Sequence, residues 1–241
     1  MPHEKLSEQY NLLYATATKR EILTRGWPQN RLEALTFFAR PGGRLLEIGC
    51  GDGEVLFNLS RHFDSIYGTE LSEIRIARAQ QLLNRHPDYH ISHETLEEFV
   101  ERLGGSLTFD CILWADVVEH VVDPLLAFRN IANLCTRGTQ LITSTPNIAF
   151  FPHRLRLLLG KFPSTSLPIH ADEGFTRSSK TILLDGGHLH YFTYNMLIRL
   201  YRLNGFNNIR CYGLGQRFSR LRNLCPRLLS GNALVVGYYG G

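Results

Sequence analysis

Long apolar runs are missing from this chain. Nowhere in its 241 residues does a stretch approach the ~20 that a membrane-crossing helix needs. The start, Met1-Pro2-His3-Glu4-Lys5, lacks the charged-then-apolar layout of a secretory signal, so a cytoplasmic setting is expected. Cysteine is scarce and scattered: the five residues Cys50, Cys111, Cys135, Cys211 and Cys225 form no C-x-x-C pair. Their odd number also argues against a disulfide framework, and reduced thiols are the expectation. Acidic residues are missing from the tail, where Gly186 to the end holds seven arginines and no Asp, Glu or Lys. A solvated arginine face explains this, as does an affinity for an anionic substrate, a lipid headgroup or nucleic acid. There is no G-x-x-x-x-G-K-[ST] loop for a nucleoside triphosphate and no N/D-P-P-Y/F tetrad, so nucleic acid is disfavoured as a partner. Internal repeats and low-complexity tracts are absent as well.

What is present is a globular composition, 44% hydrophobic and 20% charged, on a length that suits one α/β domain with insertions. Residues 1–40 carry helical apolar spacing around Leu6, Tyr10, Leu13 and Tyr14, then around Leu32, Leu35, Phe37 and Phe38, with Trp27-Pro28 as the break. Alternation follows. Strands are expected at Arg44–Ile48, Ser65–Gly68, Tyr89–Ser92, Phe109–Trp114 and Gln140–Ser144, and helices at Glu54–His62, Ser72–Asn84, Leu96–Leu103 and Pro124–Leu134. Such alternation implies a doubly wound, mostly parallel sheet.

After Thr145-Pro146-Asn147 about 40 residues lack a clear strand; an insertion of this length in a compact domain is usually functional or poorly ordered. Within it Phe151–Leu159 has helical spacing and Gly160–Gly187 reads as irregular. A helix Thr193–Asn204 capped by Gly205, a strand Asn208–Tyr212, a basic, partly helical Gln216–Ser230 and a strand Ala233–Tyr239 complete the chain. The expected organisation is a single domain, 1–241, divided into an N-terminal helical lid (1–40), a cofactor-binding core (41–147), a substrate-lid insertion (148–187) and a C-terminal helix with strands (188–241). Tyr10, Tyr14, Trp27 and Arg31 are candidates for the lid lining.

The most informative stretch is Leu45-Leu46-Glu47-Ile48-Gly49-Cys50-Gly51-Asp52-Gly53-Glu54, a strand running through E-x-G-x-G-x-G into a helix. Glycines let such a loop turn sharply and approach a ligand closely. Glu70 lies 17 residues beyond Gly53, after the next strand, where a carboxylate can accept from both hydroxyls of a ribose. An adenosine-type ligand is implied. A dinucleotide is not, because the sixth position counted from Gly49 is Glu54 rather than glycine, and a carboxylate there repels a pyrophosphate. A loop with Glu47 and Asp52 suits S-adenosylmethionine, which carries a sulfonium and an ammonium.

This pattern resembles the class I S-adenosylmethionine-dependent methyltransferases over roughly residues 30–240. The resemblance implies a seven-stranded Rossmann-like sheet with a lid inserted after strand 5. It makes Glu47, Gly49, Cys50, Gly51 and Gly53 the first cofactor motif, Glu70 with Leu71 the ribose clamp, and Glu94-Thr95 the adenine contact, although Asp is more usual at position 94. Phe109 to Pro124, with Asp116-Val117-Val118-Glu119-His120 inside it, is similar to the ubiquinone-biosynthesis O-methyltransferase group, and places Ala115 and Asp116 near the methionine end. The segments Thr145–Pro163 and Gly187–Thr193 resemble the MetW-like branch.

The expected activity is methylation of a small-molecule acceptor, most simply on oxygen within a biosynthetic pathway. A methyltransferase-like accessory protein that partners another enzyme is the alternative, and a homodimer is left open. Methyl transfer from a sulfonium asks mainly for alignment; a base is needed only when the acceptor must lose a proton. His188, His190 and His120 are the candidates. No metal is expected, since these histidines show no compact ligand spacing with Glu119, Asp116 or Asp185.

Overall fold

The computed structural model describes residues 22, 26–103, 105–166, 175–177, 182–215 and 219–241. The proposed first helix around Leu6–Tyr14, with Tyr10 and Tyr14, lies outside these residues. The chain proceeds through α1 (Arg31–Phe38), β1 (Gly42–Ile48), α2 (Glu54–Leu59) and a short 3-10 turn (Ser60–His62). Next come β2 (Phe63–Thr69), α3 (Glu73–Leu83), β3 (Tyr89–Ser92), α4 (Leu96–Leu103), β4 (Phe109–Ala115), α5 (Pro124–Asn133) and β5 (Cys135–Pro146). The insertion contributes α6 (Phe151–Leu158), β6 (Phe175–Arg177) and β7 (Ile182–Leu184). Last are α7 (Tyr194–Leu203), β8 (Phe206–Gly213), α8 (Ser219–Leu224), α9 (Pro226–Leu229) and β9 (Asn232–Tyr239).

Seven strands form one sheet in the order β3-β2-β1-β4-β5-β9-β8. The first five are parallel, and β9 runs antiparallel to both β5 and β8. Consecutive residues of the central strands enter opposite cores. Leu46, Ile112, Trp114, Leu141 and Val235 pack with Phe99, Phe128, Ile131 and Tyr201 of α4, α5 and α7. Leu45, Cys111, Leu113, Ile142 and Leu234 pack with Leu35, Leu56 and Leu83 of α1, α2 and α3. Burial on both faces is why these strands read as continuous apolar runs.

Helix starts are fixed by side chains that accept otherwise unpaired N–H groups. Asn30 accepts from Glu33 (3.0 Å), Asp123 from Leu125 and Leu126 (2.9 and 3.0 Å), and Thr193 from Met196 (3.3 Å). Before α4, Thr95 and Glu98 form a reciprocal capping box: Glu98 N–H donates to Thr95 Oγ1 (3.2 Å) and Thr95 N–H to Glu98 Oε2 (2.8 Å).

Within the stretch expected to lack strands, β6 and β7 pair antiparallel, Phe175 opposite Leu184. Sequence order reverses between β1 and β4, so the connections that leave their carboxyl ends turn to opposite sides of the sheet and leave the crevice where open α/β sheets bind ligands.

Candidate active site

The glycine loop between β1 and α2 bends over the end of β2. Gly49 and Cys50 both donate to the Thr69 carbonyl (2.9 Å each), and Gly53 N–H closes the turn on the Cys50 carbonyl (3.0 Å). Gly49 and Gly51 have φ of +72° and +57°, the left-handed region. A Cβ on Gly49 would stand 2.4 Å from Val117, and one on Gly51 2.2 Å from the Arg75 guanidinium. Val117 thus blocks a side chain at Gly49, and one at Gly51 would strain the backbone and push the Arg75 guanidinium aside.

Beyond it opens a cavity of about 530 Å³ bordered by Arg31, Glu47, the loop, Glu70, Leu71, Arg75, Glu94, Thr95, Ala115, Asp116 and His120. All eleven residues proposed for cofactor binding are at this cavity or, for Gly53, in the loop that shapes it. Glu70 is turned toward the bend. Its Oε2 accepts from Gly51 N–H, and its Oε1 from Leu71 and Ser72 N–H, each at 2.9 Å. Glu47 is 6% exposed, and its Oε2 has no hydrogen-bond partner. Burial pushes its carboxyl up to about 8, against the opposing pull of Arg31 and Arg75. A buried carboxyl with one oxygen unpartnered beside a cavity is the complement of a cationic group, which would draw it into its charged form. Glu94 is less free: Arg102 grips it with two bonds, Nε to Oε1 (2.7 Å) and Nη2 to Oε2 (3.0 Å).

Two arginines complete the lining. Arg75 reaches from α3 to Asp52 (3.3 Å) over the Gly51 peptide; a basic residue one turn into the helix after Glu70 was the available signal. Arg31, placed in the lid by sequence, reaches across the mouth to Asp116. Asp116 holds a φ of +52°, a strained conformation for a residue with a side chain, and its Oδ1 is buried without a partner. Trp27 is not in the cavity wall. Its indole donates to the Gly213 carbonyl (3.0 Å) and its rings lie against Phe38 and Tyr212, so it anchors α1 to β8.

Of the three candidate histidines, the fold brings His120 and His188 together and sets His190 apart. His120 borders the cavity. Its Nδ1 faces the Gly187 carbonyl (3.2 Å); a carbonyl only accepts, so Nδ1 carries the hydrogen and Nε2 keeps its lone pair. Burial, then the neighbouring His188, lowers the His120 pKa. His188 stands edge-on to His120, ring centroids 4.8 Å apart. Thr165 Oγ1 donates to Asp185 Oδ2 (2.5 Å) and so accepts from His188 Nδ1 (2.6 Å), which again leaves Nε2 as the basic nitrogen. His190 instead faces the Val122 carbonyl (3.2 Å) and, like His188, does not border the cavity.

The fold also joins what spacing keeps apart. Glu119, His120 and His188 bring their ligand atoms within 4.8 Å of one another. Glu119 is buried; Thr145 donates to its Oε2 (2.9 Å), and its Oε1 has no partner. Asp185 is not part of that group, because its oxygens are taken up by Ser164, Thr165 and Ser166. Burial works to raise the Asp185 pKa, but hydrogen bonds from His188, Ser164 and Thr165 hold it well below the usual carboxylate range.

A family model described as a methyltransferase domain matches residues 19–210. The chain belongs to this family of S-adenosylmethionine-dependent methyltransferases. The ubiquinone biosynthesis O-methyltransferase of Aromatoleum aromaticum is 28% identical over 70% of this chain and 75% of its own. That of Hahella chejuensis is 27% identical over 68% and 72%. For the enzyme of Xanthomonas campestris pv. campestris (strain B100) the match is 31% over 45% of each chain, so the chain spans about half the length of that relative.

Among solved structures, the N-methyltransferase NodS from Bradyrhizobium japonicum WM9 superposes with a TM-score of 0.56 at 15% identity, over 87% of this chain and 93% of its own. Magnesium protoporphyrin IX methyltransferase from Synechocystis PCC 6803, solved with bound SAH, does so at 0.56 and 17%, over 87% and 82%. At such identities the likeness is one of fold. The fit to the methyltransferase cofactor rests on the cavity itself: a glycine bend bare of side chains, with unpartnered Glu47 and the Glu70 carboxylate at its walls.

Proposed function

We propose that this methyltransferase acts on an oxygen of a small-molecule acceptor within a biosynthetic pathway, with His120 as the base. The observation that carries the reading is the position of His120, a half-buried imidazole on the cavity wall with its Nε2 lone pair free. The printed function of the relatives, O-methyl transfer in ubiquinone biosynthesis, supports oxygen as the accepting atom.

S-adenosylmethionine supplies a methyl group on a sulfonium whose departure needs no further activation. In this reading Glu47 takes the ammonium, Arg31 the carboxylate of the amino-acid end, and Glu70 a ribose hydroxyl through the acceptor capacity left by its three backbone bonds. Ala115 and Asp116 would line the wall toward the methionine end. His120 Nε2 would take the proton of the acceptor hydroxyl as the methyl is transferred, so that charge is not left on the acceptor. The lowered pKa of His120 keeps the imidazole neutral, the form that takes a proton. His188 supports it from behind.

Turnover of S-adenosylmethionine with a panel of phenol, carboxylate and sugar-hydroxyl acceptors tests the activity. His120→Ala is expected to lower kcat by about 10²–10⁴ while leaving cofactor binding intact, and full activity in that variant removes the assignment.

A second reading has one observation in its favour, the convergence of Glu119, His120 and His188. These three side chains would hold a divalent cation, and the ion would lower the pKa of an acceptor hydroxyl bound beside it. Exhaustive chelation separates the readings: activity retained supports His120 as the base, and activity lost and restored by added metal supports the ion.

A further inference from the structure

The helix α6 carries its apolar side outward. Phe151, Leu155 and Leu158 recur at helical spacing on one face, Phe162 continues it past the helix end, and all four are exposed, Leu158 at 81%. The side turned to the protein is the polar one: His153 is buried, its Nδ1 on the Asn147 carbonyl (3.1 Å). A surface helix normally buries its apolar stripe, so this one is built to cover something or be covered.

Next to it lies a second helix of the same kind. Phe150, the residue before α6, has the Arg222 guanidinium of α8 5.9 Å above its ring. From α8, Leu221 and Leu224 are exposed, Leu224 at 80%. Arg154 and Lys161 on one side, and Arg220 and Arg227 on the other, are exposed around these leucines. Neither Ile148–Ser166 nor Gly186–Gly241 contains a single Asp or Glu.

We propose that α6 and α8 form a docking surface for an anionic lipid bilayer, on which the enzyme rests without crossing it. Among the described residues no helix is long and apolar enough to span a membrane. The composition is that of a helix lying in the interface plane, leucine and phenylalanine entering the acyl boundary while arginine and lysine meet the headgroups. Charge selects this occupant. A second copy of the chain meeting the same face would set arginine against arginine with no carboxylate from Ile148–Ser166 or Gly186–Gly241 to answer, whereas anionic headgroups neutralise these cations.

Sedimentation of the full chain with unilamellar vesicles tests the proposal, using phosphatidylcholine alone and phosphatidylcholine with about a third phosphatidylglycerol. Expected is at least tenfold stronger co-sedimentation with the anionic vesicles, weakening as salt is raised. The double variant Leu155→Glu/Leu158→Glu should lose it while keeping the wild-type melting temperature and cofactor affinity, since both side chains face solvent. Arg154→Glu/Lys161→Glu, which leaves the leucines in place, should lose the preference for anionic vesicles. Absence of co-sedimentation, or equal binding to both vesicle types, overturns the proposal. So does a dimer in sedimentation velocity that Leu155→Glu/Leu158→Glu dissociates, because the face is then occupied by a second copy.

Discussion

At the scale of single residues, the acids that the fold leaves unsatisfied are the informative ones. Glu47, Asp116 and Glu119 each have a buried oxygen without a hydrogen-bond partner, a state that costs stability and that a ligand relieves. For Glu47 the cost has a pH signature. With its pKa raised from 4.5 to about 8 by burial, the folded chain holds a proton that the unfolded chain has already lost between these values. Protons bound in excess by the folded state mean that this stability is fully present on the acid side and is lost as pH rises from about 4.5 through about 8. The melting temperature should therefore fall across that window, and the fall should be shallower in Glu47→Gln. The same proton must leave when the ammonium pairs with Glu47. Calorimetry at pH 7 in buffers of different ionisation heat should show S-adenosylmethionine binding with proton release in the wild type, and in Glu47→Gln binding about tenfold or more weaker with no release.

At the scale of elements, the three layers are held by a few buried polar ties through otherwise apolar packing. The Tyr201 hydroxyl, fully buried on α7, meets Thr143 Oγ1 (2.8 Å), the Leu141 carbonyl (3.3 Å) and the Val235 carbonyl (3.1 Å), linking α7 to both β5 and β9. Tyr201→Phe should cost about 1–2 kcal/mol in denaturant unfolding without changing cofactor affinity, and an altered affinity would mean that the tie extends to the site.

Elements such as β3 and α4 were legible in sequence to the residue, because apolar periodicity and turn residues coincide there. The strand β5 was not: its expected range, Gln140–Ser144, grew to Cys135–Pro146, since Thr136 to Gly138 are exposed and hydropathy does not mark a strand end lying in solvent. The glycine loop and Glu70 were readable because their chemistry lies along one stretch of chain. The meeting of Glu119 and His120 with His188 was not, since 68 residues separate His120 from His188 and only the return of the insertion closes that distance. Trp27 shows the converse, an aromatic placed by composition in a lid and used by the fold as an anchor.

For the molecule as a whole, the two ends of the insertion are fastened to each other through Asp185. This residue is completely buried, sits at a φ of +44° and accepts from Ser164, Thr165 and Ser166. Through Thr165 it also sets the orientation of His188. Asp185→Ala should release the 164–166 segment and let His188 turn. We expect kcat to fall by about tenfold or more while the cofactor Kd from calorimetry stays unchanged, because the cavity floor is built from β1, β2 and β4 rather than from the insertion. A change in Kd with kcat intact would contradict this division of labour.

The contact between Arg31 and Asp116 has a kinetic meaning. It ties the first described helix to the tip of a central strand beside the cavity, so a ligand carboxylate that claims Arg31 has an ionic latch to break. Dissolved ions weaken such a latch, and stopped-flow measurement is expected to show cofactor exchange faster in brine than in dilute buffer.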